Sequence, residues 1–155
     1  MDVTICVCGG REYYNHVTAW RVLNQKLDEL GMKPYETDKH NLIIVHGAAR
    51  GADTLESEWC KAWHTGANRG HSLSDNRENP RSVIVHEIAH PADWNKYGRQ
   101  AGPIRNAKML NSLPKDAIIL AFWDGVSKGT GHMIQIAQRS GRKVEIIKYY
   151  PSPMF

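Results

Sequence analysis

The sequence predicts an α/β protein with a Rossmann-like three-layer α/β/α fold, built on a mainly parallel sheet of about five strands. Short apolar runs rich in β-branched residues alternate along the chain with segments whose apolar residues recur at helical spacing. The apolar fraction of 41% in 155 residues is sufficient for a folded core. Strands that alternate with helices pair in parallel, since each helix carries the chain back across one face of the sheet.

The predicted elements follow one another in order. We expect strands at 3–8, 41–47, 82–89, 116–123 and 143–150. Helices are expected between them at 16–31, 52–64, 99–111 and 130–141. The first helix follows Asn15, a favourable N-cap, and stops at Gly31. Its inward face carries Trp20, Leu23, Leu27 and Leu30.

One Rossmann-like domain is expected for residues 1–150, followed by a tail at 151–155. The segment 65–82 interrupts the alternation because it is polar, contains glycine and carries almost no large apolar side chain. A loop of this length is either a mobile insertion or a functional lid. The composition favours the mobile insertion. The arginines and the histidine of the segment are the reason to retain a functional lid as the alternative.

Charge and cysteine content limit the setting in which the protein acts. The net charge is +4 and the isoelectric point about 9.0, which fits an anionic partner and equally an ordinary solvated surface. The three cysteines lack the spacing of a disulfide framework or a structural zinc site. The sequence shows neither a signal peptide nor a transmembrane span. We therefore expect a cytoplasmic protein without a membrane partner.

One stretch, His86-Glu87-Ile88-Ala89-His90, matches the H-E-x-x-H signature of zinc proteases. Both histidines reach one zinc ion only on a helix, where residues four apart share a face. Here the motif follows a β-branched run and precedes Pro91, which favours a strand that ends at the proline. Residues four apart on a strand are separated by about 13 Å. The sequence therefore predicts no metal site and no zinc protease.

Candidate ligand-binding residues are those that follow the strands, because ligands of open parallel sheets bind beyond the carboxyl ends of the strands. After the first strand come Gly9, Gly10 and Arg11. The glycines allow the backbone to approach a ligand, and the guanidinium fits a phosphate or carboxylate. The alternative is a tight turn with a surface arginine.

After the second strand, a glycine-containing loop leads directly into a helix. An exposed helix start offers backbone N–H groups to an anion. Asp53 is suited to a ribose hydroxyl or a base edge, and equally to capping the first helical turn. The candidates in this segment are His46, Gly47, Arg50, Gly51 and Asp53. For His46 a ligand contact is slightly favoured, and the alternative is a half-buried histidine with hydrogen-bond partners within the protein.

The segment after the third strand combines aromatic and polar candidates. Trp94 and Tyr97 are able to stack on a purine, although for Trp94 a place in the core is the favoured interpretation. Arg105 needs a partner near a cleft, and we expect that partner to be Asp93 or a ligand phosphate. Asn106 is the fifth candidate of this segment.

After the fourth strand, small residues surround a hydroxyl at the start of a helix. Gly125, Gly129, Thr130 and Gly131 form a second possible anion site there. The alternative is a glycine-rich loop in which Thr130 caps the helix. Two such loops in one small domain strengthen the prediction of a bound anion.

Four segments together resemble the YspA-type, cpYpsA-related branch of the SLOG superfamily, named after Smf/DprA and Lonely-guy proteins. They are GGREY, HGAARGAD, ADWNKYGRQAGPIRNAKML and FWDGVSKGTGHM. The resemblance runs from the first to the fifth strand and omits 65–82. Members of this branch are often small proteins of phages and mobile elements. It implies a Rossmann-like domain that binds a nucleotide-derived small molecule, and a homo-oligomer.

The resemblance also exposes a departure. Lonely-guy relatives are phosphoribohydrolases that carry a glutamate shortly after the threonine of their glycine-rich loop. Here Gly131, His132 and Met133 follow Thr130, so the acid of the hydrolase pattern is missing. The preferred hypothesis is therefore a protein that senses or sequesters an ADP-ribose-type or cyclic nucleotide signal at the carboxyl edge of the sheet.

Two alternatives stay open. One is a nucleotide N-glycosidic hydrolase of the phosphoribohydrolase kind, whose acid would be Asp53, Asp93, Asp124 or Glu12. The other is a DprA-like binder of single-stranded nucleic acid, favoured by the basic isoelectric point and five tryptophans. Most of these tryptophans lie at core spacing, which disfavours the nucleic-acid partner. We expect no cofactor.

Overall fold

The computed structural model describes residues 2–10, 13, 15–32, 39–48, 52–65 and 83–149. Its strands are β1 (Asp2–Gly9), β2 (His40–His46), β3 (Val83–Ala89), β4 (Ile118–Trp123) and β5 (Val144–Lys148). All described strand pairs are parallel, and together they form one sheet in the order β3-β2-β1-β4-β5. The predicted fold class, a Rossmann-like α/β sandwich, is confirmed.

The helices lie between the strands as predicted, with one correction. They are α1 (His16–Glu29), α2 (Ala52–Thr65), α3 (Trp94–Tyr97), α4 (Ala101–Ser112) and α5 (Lys128–Arg139). The single helix predicted at 99–111 begins earlier and is interrupted by a 3-10 turn at Gly98–Gln100. Gly98 adopts a φ of 56°, which ends the regular helix after Tyr97. Residues 66–82 and the tail 151–155 lie outside the described part of the chain.

Two apolar layers cover the sheet because its central strands alternate side chains between its faces. Ile5 and Val7 of β1 pack with α1 and α2, whereas Cys6 and Cys8 pack with α4 and α5. The helices on the two faces make the sheet a doubly wound one.

The predicted N-cap of α1 is confirmed, since Asn15 Oδ1 accepts a hydrogen bond from Thr18 N at 3.2 Å.

A buried lysine connects α1 with the edge strand β5. Lys26 is only 7% exposed, and its Nζ lies 2.6 Å from Glu145 and 2.8 Å from Glu29. Burial alone lowers the pKa of Lys26, but the hydrogen bonds that its ammonium donates to the two carboxylates outweigh burial and raise the pKa. The ammonium is therefore charged and paired at neutral pH.

The strand order creates a crevice at the carboxyl ends of β1 and β4. From β1 the chain continues to β2 and β3 on one side, and β4 and β5 lie on the other side. The connections on the two sides of this switch point diverge and leave room for a ligand. Gly10 N continues the ladder by donating to Phe122 O at 3.1 Å, which keeps the two strand ends together.

The H-E-x-x-H stretch is a strand, as predicted. His86 and Glu87 lie within β3, and His90 follows the end of that strand. His86 contacts Asn41 at 3.1 Å, while Glu87 contacts His46 at 2.6 Å. Among the described residues, no group of three potential metal ligands comes together.

The described helices include none with the length and apolar character that crossing a bilayer requires.

Candidate functional site

A cleft of about 640 Å³ opens at the switch point between β1 and β4. It is bounded by the ends of β1, β2 and β4, by the start of α4 and by the first turn of α5. Its size lies within the range of small-molecule binding sites. The lining residues that were predicted from the sequence are Gly9, Gly10, Gly47, Asp53, Trp94, Arg105, Asn106, Gly129 and Thr130.

The loop after β4 is shaped by a carboxylate. Asp124 Oδ1 accepts hydrogen bonds from Val126 N at 2.9 Å and from Ser127 N at 2.8 Å. These two backbone donors lower the pKa of Asp124, the bond from Ser127 contributing most. Gly125 takes a φ of 87° at the turn, a conformation that other residues rarely adopt. Asp124 is thus an ionised side chain on the cleft wall that fixes the approach to α5.

The first turn of α5 presents backbone donors to the cleft. The N-cap Ser127 makes no side-chain capping bond within the described structure. The N–H groups of Lys128, Gly129 and Thr130 have no intrahelical partner, as at every helix start. These residues line the cleft, so the partial positive charge of the helix start and the Lys128 ammonium lie at its wall.

Gly10, which directly follows β1, allows Tyr149 to lie at the cleft wall. A Cβ atom at Gly10 would lie 2.0 Å from Tyr149 Oη, so a larger residue there would displace the phenol. Tyr149 packs on Tyr13 with ring centroids 4.7 Å apart, and Tyr13 packs on Phe122 at 4.9 Å. The close approach of Tyr149 is the physical reason for glycine at this position.

The loop after β2 is held by two charged side chains. Gly47 N donates to Asp53 Oδ2 at 3.0 Å, and the carbonyl of Gly47 accepts from Arg105 Nη1. A Cβ atom at Gly47 would lie 2.2 Å from Arg105 Nη1, which is closer than any real contact. Asp53 is only 4% exposed, so its carboxylate supports the cleft wall from within.

Arg105 and Asn106 join three strand ends into one unit. Arg105 Nη1 also donates to the carbonyl of His90 at 3.5 Å, and Nε donates to Asn106 Oδ1 at 3.0 Å. Asn106 Nδ2 contacts Gly129 O at 3.1 Å and His132 Nδ1 at 3.2 Å. This network binds the loops after β2 and β3 to the first turn of α5.

Two interpretations of this segment need correction. Asp93, one of the two partners expected for Arg105 beside a ligand phosphate, instead caps α3 by accepting from Lys96 N at 3.1 Å. Trp94 is 48% exposed, so its interpretation as a core residue is wrong. Its ring borders the cleft next to Gly102, where a Cβ atom would lie 3.5 Å from Trp94 Cη2. The half-exposed indole is therefore part of the cleft edge.

The cysteine at the cleft is a neutral thiol. Cys8 is 8% exposed and lines the cleft beside Asp53. Burial raises the pKa of Cys8 well above its usual range, with the neighbouring Cys6 adding to the effect. Burial and the Asp53 carboxylate raise the pKa of Cys6 to about 12, against a smaller lowering by Arg105. Since the thiolate is the reactive form, neither residue is a nucleophile at neutral pH.

Several predicted residues lie beside the cleft wall rather than in it. His46 is buried and pairs with Glu87 at 2.6 Å, while its Nδ1 accepts from Ala48 N at 3.0 Å. Burial raises the pKa of Glu87, but hydrogen bonds from Ser57 and His46 outweigh burial and lower it. The other described residues that were predicted for the site but do not line the cleft are Asp93, Tyr97, Gly125 and Gly131.

Tyr97 and Gly131 have other contacts. Tyr97 is covered by the ammonium groups of Lys96 and Lys108, which lie 5.1 Å and 5.7 Å from its ring centre. At Gly131 a Cβ atom would lie 3.3 Å from the Trp123 ring, so this glycine serves the packing of α5. Arg11, Arg50 and Gly51 lie outside the described residues.

Sequence reasoning missed several residues of the cleft wall. Lys128 and His132 are four apart on α5 and share a face, a spacing that was readable once the helix start was placed at 128. No sequence signal pointed to Arg99 or Tyr149. Among the described residues the cleft carries three cationic side chains, Arg99, Arg105 and Lys128, against the carboxylates of Asp53 and Asp124. A ligand with negative charge is therefore favoured.

Comparison with known proteins gives one full-length relative. The chain is 31% identical over 149 residues to the Gene 61 protein of Mycobacterium phage D29. The aligned region covers 96% of this chain and 98% of the phage protein. No family model and no solved structure matches the sequence. The relative agrees with the expectation of a phage-type protein. The chain therefore belongs to the family of the mycobacteriophage Gene 61 protein.

Proposed function

We propose that the protein binds a nucleotide or nucleotide-derived ligand in the cleft at the switch point, to sense or sequester it. One observation carries the proposal. The first turn of α5, the Lys128 ammonium and the half-exposed indole of Trp94 border the same cleft of about 640 Å³. Backbone N–H groups and a cation suit a phosphate, and the indole suits a base.

The resemblance to the SLOG superfamily supports the same proposal. Its most specific segment, D-W-x-x-Y-G-x-x-A-G-x-x-R-N, covers residues 93–106. In this chain the segment contributes Trp94, Arg105 and Asn106 to the cleft wall. An ADP-ribose-type or cyclic nucleotide signal has the required combination of base, ribose and phosphate. Membership of the superfamily, a homo-oligomeric state and a cytoplasmic location belong to this proposal.

The test is a thermal-shift screen against nucleoside phosphates, ADP-ribose derivatives and cyclic nucleotides, with mass spectrometry on each hit. A ligand that binds only the folded state raises the midpoint as its concentration exceeds the dissociation constant. Lys128→Gln should weaken binding of a hit by about tenfold, since it removes a charge-assisted contact. Lys115→Gln is the matched control, because Lys115 precedes β4 at the opposite edge of the sheet. A panel without any hit, or equal effects of both variants, would contradict the proposal.

Arg105→Ala is a poor probe of ligand contact. The guanidinium supports the loops after β2 and β3, so its removal disturbs the cleft even without a ligand. Lys128 is exposed on the first turn of α5 and has no such role in the described structure.

A second candidate, an N-glycosidic hydrolase, is favoured by one observation. The ionised Asp124 and the buried Asp53 line the cleft, where a carboxylate is able to stabilise an oxocarbenium ion or activate water. The lowered pKa of Asp124 disfavours it as a general acid.

Asp124→Asn separates the two candidates, because the Asn Oδ1 atom still accepts the bonds from Val126 N and Ser127 N. A hydrolase would release base and ribose phosphate, and one that uses Asp124 as its essential carboxylate would lose turnover in this variant. A binder would return the ligand intact in both proteins.

The third candidate, a binder of single-stranded nucleic acid, gains little support. Trp59 is fully buried and Trp20 packs against the core, so neither is available for base stacking. A steep fall of affinity for an oligonucleotide with rising salt would be the result that favours this candidate.

A further inference from the structure

We propose that His132 is a ligand-binding residue of the cleft, and that Asn106 holds its ring in the Nε2–H tautomer so that it donates a hydrogen bond to a ligand oxygen. The ligand contact rests on the proposed function. The tautomer rests only on the contacts within the protein and has a test of its own.

The orientation of the Asn106 amide is fixed by its neighbour. Arg105 Nε is only a donor, and it lies 3.0 Å from Asn106 Oδ1. The oxygen must therefore face Arg105, and the amide nitrogen must face the other way. Asn106 is 4% exposed, so water does not offer an alternative partner for the amide.

The amide nitrogen then determines the proton of the imidazole. Asn106 Nδ2 has two hydrogens and two neighbours, Gly129 O at 3.1 Å and His132 Nδ1 at 3.2 Å. Gly129 O is only an acceptor, which agrees independently with the orientation required by Arg105. Because Nδ2 donates to His132 Nδ1, that ring nitrogen is an acceptor. The proton of the neutral ring is therefore on Nε2.

The geometry of α5 directs this proton toward the cleft. His132 follows Lys128 by four residues and lies on the same face, and helical side chains tilt toward the N-terminus. Since Nδ1 faces Asn106, Nε2 is the nitrogen left for the cleft that His132 lines. Within the described structure Nε2 has no hydrogen-bond partner. A phosphate or ribose oxygen beside the first-turn N–H groups would be its complement.

Nitrogen-15 NMR of the imidazole in the ligand-free protein tests the tautomer directly. At pH of about 9, where an ordinary histidine is neutral, Nδ1 should resonate as an unprotonated nitrogen and Nε2 as a protonated one. In Asn106→Asp the side chain carries only acceptors, so the Nδ1–H tautomer should become the major form. A wild-type ring that carries its proton on Nδ1 would overturn the inference, whether or not the variant folds.

Isothermal titration with ADP and with ADP-ribose tests the ligand contact. His132→Phe keeps a ring on α5 but removes the donor, and it should weaken binding by about tenfold or more. His86→Phe is the matched control, because His86 is an exposed histidine on β3 that does not line the cleft. An unchanged dissociation constant in His132→Phe would overturn the ligand contact.

The two experiments keep the inference separate from the proposed function. If ADP and ADP-ribose bind and the tautomer is as expected, an affinity loss confined to His132→Phe supports both. If no nucleotide binds, the proposed function and the ligand contact of His132 both fail. The positioning role of Asn106 is then decided by the NMR result alone.

Discussion

Gly47→Ala tests the unit that holds the strand ends together. The new Cβ atom would lie 2.2 Å from Arg105 Nη1 and 2.6 Å from Cζ, so the guanidinium must move. Moving it breaks the bond to the Gly47 carbonyl and strains the bond to Asn106. A hydrogen bond to a charged group contributes about 1.5–3 kcal/mol. Because Arg105 is half-buried, water recovers part of this loss.

We therefore expect the free energy of unfolding to fall by about 2 kcal/mol, which lowers the melting temperature of a chain of this size by about 4–8 °C. Urea unfolding followed by circular dichroism measures the change. Gly129→Ala is the matched control, since its Cβ atom would have no neighbour within 4 Å and alanine favours a helix. That variant should be neutral or stabilised by up to about 1 kcal/mol.

A double-mutant cycle shows whether the mechanism is right. In an Arg105→Ala background the clash partner is gone, so Gly47→Ala should add almost nothing to the destabilisation. Strictly additive effects would refute the reasoning, as would a Gly47→Ala protein as stable as the wild type.

Three further predictions follow from the charged and titratable groups. Glu145→Gln should reduce stability at neutral pH by about 0.5–1 kcal/mol, because Lys26 loses a partner, while Asp28→Asn on the same helix should not. The raised pKa of Lys26 means that this contribution is full below pH 10.5 and is lost as pH rises through the higher folded value. For Asp124 the pH dependence is the reverse, because its pKa is lowered in the folded protein. Its contribution to the free energy of unfolding is full above its usual pKa of 3.8 and is lost as pH falls through the folded value. Asp124→Asn should therefore reduce the loss of stability at acid pH. The described cysteines are all buried, so a thiol reagent at pH of about 8 should modify the native protein only at the rate of unfolding, and a rapid reaction would contradict the assigned burial.

The alternation of apolar runs and helical segments was enough to predict the sheet, the helices and the edge at which a site would form. The residues next to the element ends were enough to predict Asn15 as the N-cap of α1 and a strand at His86 and Glu87. These predictions succeeded because strand and helix periodicities, caps and prolines act over a few residues. The same reasoning placed Gly10, Gly47 and Asn106 at the cleft, since parallel strands deliver their carboxyl ends to one edge.

The roles of these residues depended on partners far away in the sequence. Gly47 is a glycine because Arg105, 58 positions later, occupies the space of its side chain. Asp93 caps a helix instead of pairing with Arg105, and His46 pairs with Glu87 across two strands. Long-range contacts of this kind leave no periodic trace in one sequence, because the pairing follows from strand order and register. The sequence by itself therefore determined the fold class and the edge that carries the cleft, whereas the tertiary structure decided which side chains line the cleft and which support its wall from behind.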